Sequence, residues 1–135
     1  MGEAMGVKRI DAERAAELLE AGQGYVFIDV RMEHEFAQGH VPNAENIPVM
    51  IKGPGGVGIQ MNPVFVERVS ETHAPESRII LGCQKGGRSN KAAELLSEAG
   101  YTNLHDMRGG LIGETDPLGN VTFPGWTGRG LPVSR

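Results

Sequence analysis

The chain is short of cysteine, of positive charge and of long apolar runs, and each shortage removes a class of function. Cys83 is the only cysteine among 135 residues, which excludes an internal disulfide and the resolving thiol that a dithiol oxidoreductase needs. A metal site would have to be built from histidine and carboxylate alone. His34, His40, His73 and His105 show no i, i+4 pair and no H-E-x-x-H pattern, so they read as surface or local hydrogen-bonding residues. No metal or organic cofactor is expected. Lys and Arg number 13 against 17 Asp and Glu, for a formal net charge of -4. The basic residues are scattered, which argues against a broad nucleic-acid-binding face. No apolar run approaches the roughly 20 residues of a membrane span. Residues 1–6 lack the charged-then-apolar layout of a secretory signal, and Gly6 stands where a myristoylation motif requires Ser or Thr. They read as a short N-terminal tail, and the cytosol (a cytoplasmic location) is the expected compartment.

What the chain does contain is alternation of strand-like and helix-like segments. Asp11 caps a run of good helix formers from Ala12 to Ala21, stopped by Gly22 and Gly24. Tyr25 to Val30 is the near-continuous apolar run of a strand buried on both faces of a parallel sheet, and the Asp29 inside it needs a partner. Glu33 to Gln38 predicts a brief helix closed by Gly39, and Val41-Pro42 and Ile47-Pro48 mark turns. The glycine-rich stretch Lys52 to Gly58 predicts a flexible loop, either a connector or a flap beside a site. Asn62 as cap and Pro63 in the first turn start a helix that ends near Ala74-Pro75. Arg78 to Gly82 is the second strong strand, Ser89 to Ala99 the second strong helix, and Leu104 to Met107 a further strand. After Ile112 the pattern weakens, and Asp116 to Asn120 reads as a turn. There is no internal repeat. The expectation is one α/β domain over residues 7–135, with a mainly parallel central sheet, helices on both faces and a turn-rich insertion near residues 113–125.

In such sheets ligands bind at the carboxyl ends of strands. There stands Cys83-Gln84-Lys85-Gly86-Gly87-Arg88-Ser89. A lone buried cysteine is most often a small apolar filler, so the residues after it carry the information. Two glycines let the backbone curl so that amides point inward, Lys85 and Arg88 bring positive charge, and the next helix aims its N-terminus at the same spot. All of these favour an anion, either a reactive Cys83 thiolate or a bound substrate. No Cys-His-Asn constellation accompanies the loop, which argues against a protease. What remains is a nucleophile that takes a group from an anionic donor, holds it among N–H donors and passes it to an external acceptor. Protein tyrosine phosphatases place five residues between cysteine and arginine, whereas Gln84, Lys85, Gly86 and Gly87 alone separate Cys83 from Arg88. The tighter ring suits one sulfur atom bound to Cys83.

The run Cys83-x-x-Gly86-x-Arg88-Ser89 resembles the active-site loop of the rhodanese sulfurtransferase family. Asp29-Val30-Arg31 is similar to the Asp-Val-Arg at the end of that family's second strand. Glu35, Gly39-His40-Val41-Pro42, Ala44 and Asn46-Ile47-Pro48 resemble the segment after it. Gly109-Gly110 resembles the family's glycine pair, and Trp126 with Gly130-Leu131-Pro132-Val133 its closing segment. The resemblance implies a single-domain, rhodanese-like α/β fold and a thiosulfate sulfurtransferase-like enzyme whose Cys83 carries a persulfide. It implies sulfane sulfur taken from thiosulfate or a related persulfide donor and given to a thiol, to cyanide or to a protein partner in a sulfur relay. The segment from Leu111 to Gly125 departs from the family, where a tryptophan soon follows the glycine pair, so the C-terminal helix is expected to be interrupted.

The candidate catalytic residue is therefore Cys83, and Gln84, Lys85, Gly86, Gly87, Arg88 and Ser89 are the candidate substrate-binding residues. Arg88 either binds substrate or braces the loop through a carboxylate, and Lys85 either attracts the donor or is an exposed loop-tip charge. Asp29 and Arg31 read as a structural pair, His40 as a turn-stabilising residue and Trp126 as a core plug that anchors the tail. Two other functions use the same loop: a persulfide carrier or binding module without turnover of its own, and a phosphatase or arsenate reductase of related fold.

Overall fold

Strands that are apolar on both faces must be covered on both faces, and this requirement organises the molecule. The computed structural model describes residues 7–135. The reading of residues 1–6 as a tail lies outside the described residues. The first half of the chain runs β1 (Val7–Ile10), α1 (Ala12–Glu20), β2 (Val26–Asp29), α2 (Glu33–Gln38), β3 (Glu45–Asn46), β4 (Met50–Lys52) and β5 (Ile59–Met61). The second half runs α3 (Phe65–Thr72), β6 (Ile79–Gly82), α4 (Gly87–Glu98), β7 (Leu104–Met107), β8 (Glu114–Thr115) and β9 (Val121–Phe123). Five strands form one sheet in the order β1-β7-β6-β2-β3, every pairing parallel. β6 stands at its centre. The α/β architecture with a parallel central sheet is as expected.

Side chains alternate across the sheet as strand geometry dictates. Ile28, Ile79, Leu81 and Leu104 face Phe65 and Val69 of α3 and Ala92, Ala93 and Leu96 of α4. Phe27, Ile80 and Met107 face Ala12, Ala15 and Leu18 of α1, together with Trp126. Each large aliphatic side chain buried in this way stabilises the fold by about 1.5–3 kcal/mol. Trp126 closes the second layer, its Nε1–H donating to the Pro132 carbonyl at 2.7 Å. His40 stacks on Phe36 and bonds its carbonyl through Nδ1 at 2.9 Å, a local turn role.

Several elements differ from the local pattern. Residues 53–58 form the connector between two strands that the local pattern does not show: β4 and β5 pair antiparallel from Met50 with Met61 to Lys52 with Ile59. The glycines serve a tight connection, in which Gly53 N–H donates to the Gly58 carbonyl at 3.0 Å. The helix expected from Pro63 starts at Phe65, because Val64 takes non-helical angles while its N–H is held by Asn62 Oδ1 at 3.1 Å. It ends at Thr72. Helix α4 starts at Gly87 rather than Ser89, since Gly86 adopts φ 125°, a left-handed value open to glycine, and turns the chain into the helix early. Strand β1 escaped the sequence pattern because its two central residues, Lys8 and Arg9, are charged and exposed at the sheet edge. Residues 113–125 hold the antiparallel pair β8 and β9, joined by a turn in which Asp116 Oδ1 accepts from the N–H of Leu118 and Asn120.

His105 on β7 is 8% exposed, packs edge-on against Tyr25 with ring centroids 5.4 Å apart, and has no hydrogen-bond partner for Nδ1 among the described residues. Burial, aided by the charges of Lys8 and Arg14, pushes its pKa below 6.5. The unfolded chain therefore binds the proton more readily, and stability present above pH 6.5 is lost as pH falls below it. Unfolding free energies from denaturant titrations measured downward from neutral pH are expected to drop with a slope of at most about 1.4 kcal/mol per pH unit. His105→Phe, which keeps the packing on Tyr25, should flatten this step. An unchanged slope in the variant would show that His105 is not its source.

Candidate active site

Cys83 follows the last residue of β6, the central strand, where the sheet stops and the chain must turn into α4. It is 1% exposed. The turn is sharp enough to bring the Gly86 N–H onto Cys83 Sγ at 3.0 Å. An N–H this close is the donor that a sulfur bearing negative charge requires. Because α4 begins at Gly87, the N–H groups of its first turn lack intrahelical acceptors and lie at this loop, with the positive end of the helix dipole. The backbone thus supplies the positive field expected of the loop, independently of side-chain charge.

The structure brings the loop residues together with unequal roles. Gln84 is half-buried, and its Oε1 accepts from Arg31 Nη1 at 3.1 Å. Lys85 is exposed and reaches Thr115 Oγ1 on β8 at 3.3 Å. Arg88 has the carboxylate partner that the bracing reading requires: its Nη1 and Nη2 donate to the two carboxylate oxygens of Glu35 on α2 at 2.7 and 2.9 Å. That pairing holds the Glu35 carboxyl down at about 2 and raises the Arg88 guanidinium further. Ser89 is fully buried, its Oγ lying 3.6 Å from Cys83 Sγ, 3.0 Å from the Gly86 carbonyl and 2.6 Å from Asp106 Oδ1.

Two supports hold the loop from either side. On the β2 side, buried Arg31 donates to Asp29 through Nε and Nη2, to Gln84 through Nη1 and to the Gly39 carbonyl through Nη2 at 2.7 Å. On the other side, Leu111 N–H donates to the Cys83 carbonyl at 2.8 Å and Ile112 N–H to the Gln84 carbonyl at 3.0 Å. This approach is so close that a Cβ on Gly110 would lie 2.4 Å from the Cys83 oxygen, and Gly110 also has φ 58°. The glycine pair is thus a contact surface for the back of the loop.

Sequence reasoning missed Asp106, which is completely buried beside Ser89. The signal was present: an aspartate inside a strand, the same feature that singled out Asp29, stands within Leu104 to Met107. Glu35 stands out in the sequence only through the family resemblance, because nothing in its local sequence links it to Arg88, 53 residues away. Among the described residues no three His, Cys, Asp or Glu side chains converge as metal ligands would. An open cleft of about 490 Å³ adjoins the loop at Gly87 and Arg88, with Met32, Met50 and Ile59 as its apolar wall and His34 and Lys91 at its rim.

The profile of the rhodanese-like domain family matches residues 11–113. Thiosulfate sulfurtransferase 16, chloroplastic, of Arabidopsis thaliana is 41% identical over 119 residues, 88% of this chain and 86% of the relative. Thiosulfate sulfurtransferase 18 of the same plant is 38% identical over 112 residues, 82% of this chain and 79% of the relative. The crystal structure of Rv0390 from M. tuberculosis superposes with a TM-score of 0.75 at 27% identity, covering 98% of each chain.

The Glu35–Arg88 pair should be visible in stability. Glu35→Gln is expected to cost about 1–3 kcal/mol at neutral pH, through loss of charged hydrogen bonds from a part-buried guanidinium. A carboxyl held at about 2 contributes stability above the ordinary value of 4.5 and loses it as pH falls toward 2. The difference between the native chain and Glu35→Gln should therefore shrink through that window in urea titrations. A difference independent of pH would refute the assignment.

Proposed function

The chain belongs to the rhodanese-like domain family, and from that premise we propose that it is a sulfurtransferase working through a persulfide on Cys83. The observation that carries this reading is the amide of Gly86 set on Cys83 Sγ at the foot of α4. The sulfur has a backbone donor, a helix dipole and no resolving cysteine, the setting of a nucleophile whose adduct leaves only by an external acceptor.

In the first step the Cys83 thiolate attacks the outer sulfur of thiosulfate or a related persulfide donor. A bond forms from Sγ to that sulfur, the donor's sulfur–sulfur bond breaks, and with thiosulfate the electron pair leaves on sulfite. In the second step a thiol, as thiolate, or cyanide attacks the terminal sulfur, and Cys83 departs as thiolate. No net redox reagent is needed. Lys85, exposed at the loop tip, supplies attraction for the anionic donor, while Arg88 holds the loop through Glu35 and lends its charge at second hand. The cleft beside Gly87 and Arg88 is the acceptor's approach, its apolar wall suiting the carbon skeleton of a thiol. A free, functional thiol is best kept in a reducing compartment, so we assign the reaction to the cytosol.

The burial of Cys83 also suits a second reading, a persulfide carrier loaded and unloaded by partner proteins in a sulfur relay. Turnover separates the two. Incubation with thiosulfate should add one sulfur, roughly 32 Da, to the intact mass, with loss of the adduct on adding cyanide or a thiol and none in Cys83→Ala. Repeated conversion of thiosulfate and cyanide to thiocyanate supports the enzyme. A stable adduct without turnover supports the carrier, and no adduct with any sulfane donor overturns both.

A further inference from the structure

Ser89 has one hydroxyl proton and three polar neighbours. Asp106 Oδ1 lies at 2.6 Å, the Gly86 carbonyl at 3.0 Å and Cys83 Sγ at 3.6 Å. An ionised carboxylate and a carbonyl only accept hydrogen bonds, so they hold the Ser89 proton on their side. The oxygen then presents a lone pair toward the sulfur. A thiol fits that arrangement, because its S–H can donate to Oγ. A thiolate does not fit until the hydroxyl proton swings to sulfur, and Asp106 must then carry a proton of its own to stay bonded to Ser89.

We propose that Asp106 is the proton acceptor for Cys83, acting through Ser89. The proton on Sγ passes to Ser89 Oγ as the Ser89 proton passes to Asp106 Oδ1. The S–H bond and the original O–H bond break, new Oγ–H and Oδ1–H bonds form, and the single negative charge moves from carboxylate to sulfur. Nothing is oxidised or reduced. The chain of contacts gives a thiol that is 1% exposed an internal base, so that it can be ionised without solvent at the sulfur. The inference rests on Cys83 being the nucleophile. Asp106 touches no reacting atom and is a positioning residue.

The surroundings suit a carboxylate that can bear the charge or release it. Arg9 of β1 has Nε 3.7 Å from Asp106 Oδ2, and Asn90 of α4 has Nδ2 at 3.5 Å from the same oxygen. From β6, the strand neighbour in register with Asp106 is apolar Leu81. On the sulfur side stand the Gly86 amide and the Arg88 guanidinium, which senses charge on Cys83, with Glu35 opposing it and Lys85 turned to Thr115. Moving the charge from Asp106 to Cys83 thus carries it from one set of positive partners to another.

The test is alkylation of Cys83 by iodoacetamide, followed by intact mass between about pH 5 and 9, in the native chain, Asp106→Asn, Ser89→Ala and the double variant. Iodoacetamide reports thiolate availability and needs no sulfur donor. With the relay broken, the thiolate loses the hydrogen bond that Ser89 gives it while Asp106 holds the proton, and the acid limb of the rate profile moves to higher pH. Each single variant should react about tenfold slower near pH 6 and approach the native rate near pH 9, with no further loss in the double variant. If Asp106 only opposed a neighbouring thiolate by its charge, Asp106→Asn would move the limb the other way, and that result overturns the proposal. So does an unmoved profile. Ser89→Ala removes one oxygen and decides the matter if Asp106→Asn fails to fold. A shifted alkylation profile in a chain that forms no persulfide would leave the relay standing and defeat the sulfurtransferase reading instead.

Discussion

The guanidinium of Arg31 joins three parts of the chain that would otherwise have no reason to meet. It is almost fully buried with Asp29, and its remaining donors go to Gln84 in the Cys83 loop and to the Gly39 carbonyl after α2. A buried charge without its partner costs about 3–5 kcal/mol, so neither Asp29 nor Arg31 can stray. Asn46 adds to the clamp by donating to the Asp29 and Arg31 carbonyls at 3.0 and 2.8 Å. The end of β2, the short strand β3 and the front of the loop are therefore set as one unit. The backbone of Leu111 and Ile112 then holds the rear of the loop, and the sharp turn that places an amide on the sulfur is what the two sides leave possible.

The same arrangement appears on both sides of β6. Its neighbour β2 contributes a buried aspartate, Asp29, in register with Gly82, and its neighbour β7 contributes another, Asp106, in register with Leu81. An arginine answers each carboxylate: Arg31 for Asp29 at 2.8 Å and Arg9 for Asp106 at 3.7 Å. The two carboxylates differ in their nearest partner. Asp29 is locked by several short bonds and serves architecture. Asp106 has a hydroxyl at 2.6 Å, the contact through which we infer that a proton is exchanged. In an acidic chain, cations near the site are mostly occupied by carboxylates, so the field at the sulfur comes largely from the backbone and the helix dipole.

The legible part of this design is local. The strand Arg78 to Gly82, the glycines after Cys83 and the helix beyond them lie next to one another in sequence, so their combined chemistry could be read as a nucleophile in an anion-binding turn. The glycine-rich stretch after Lys52 reads correctly as a connector, while the short strands β4 and β5 that it joins do not show, because composition reports backbone freedom and not cross-strand pairing. Strand β1 was hidden for a related reason: an edge strand of four residues, with two charged side chains in solvent, carries too short an apolar pattern to stand out.

The sequence by itself determined the principal strands and helices, the strand–turn–helix around Cys83 and the absence of any second thiol, since these depend on residue identity and near neighbours. Tertiary structure alone decided which carboxylate meets which cation or hydroxyl. Glu35 reaches Arg88 across 53 residues and Asp106 reaches Ser89 across 17. Those meetings follow from the strand order β1-β7-β6-β2-β3, which sets β7 and β2 on either side of the strand that ends at the cysteine. A parallel sheet brings distant segments together through its register, and no periodicity within a segment encodes its neighbour. The Cys83 sulfur and the turn that cradles it could thus be found from the chain alone, while the carboxylates of Glu35 and Asp106 that meet this turn are visible only in the fold.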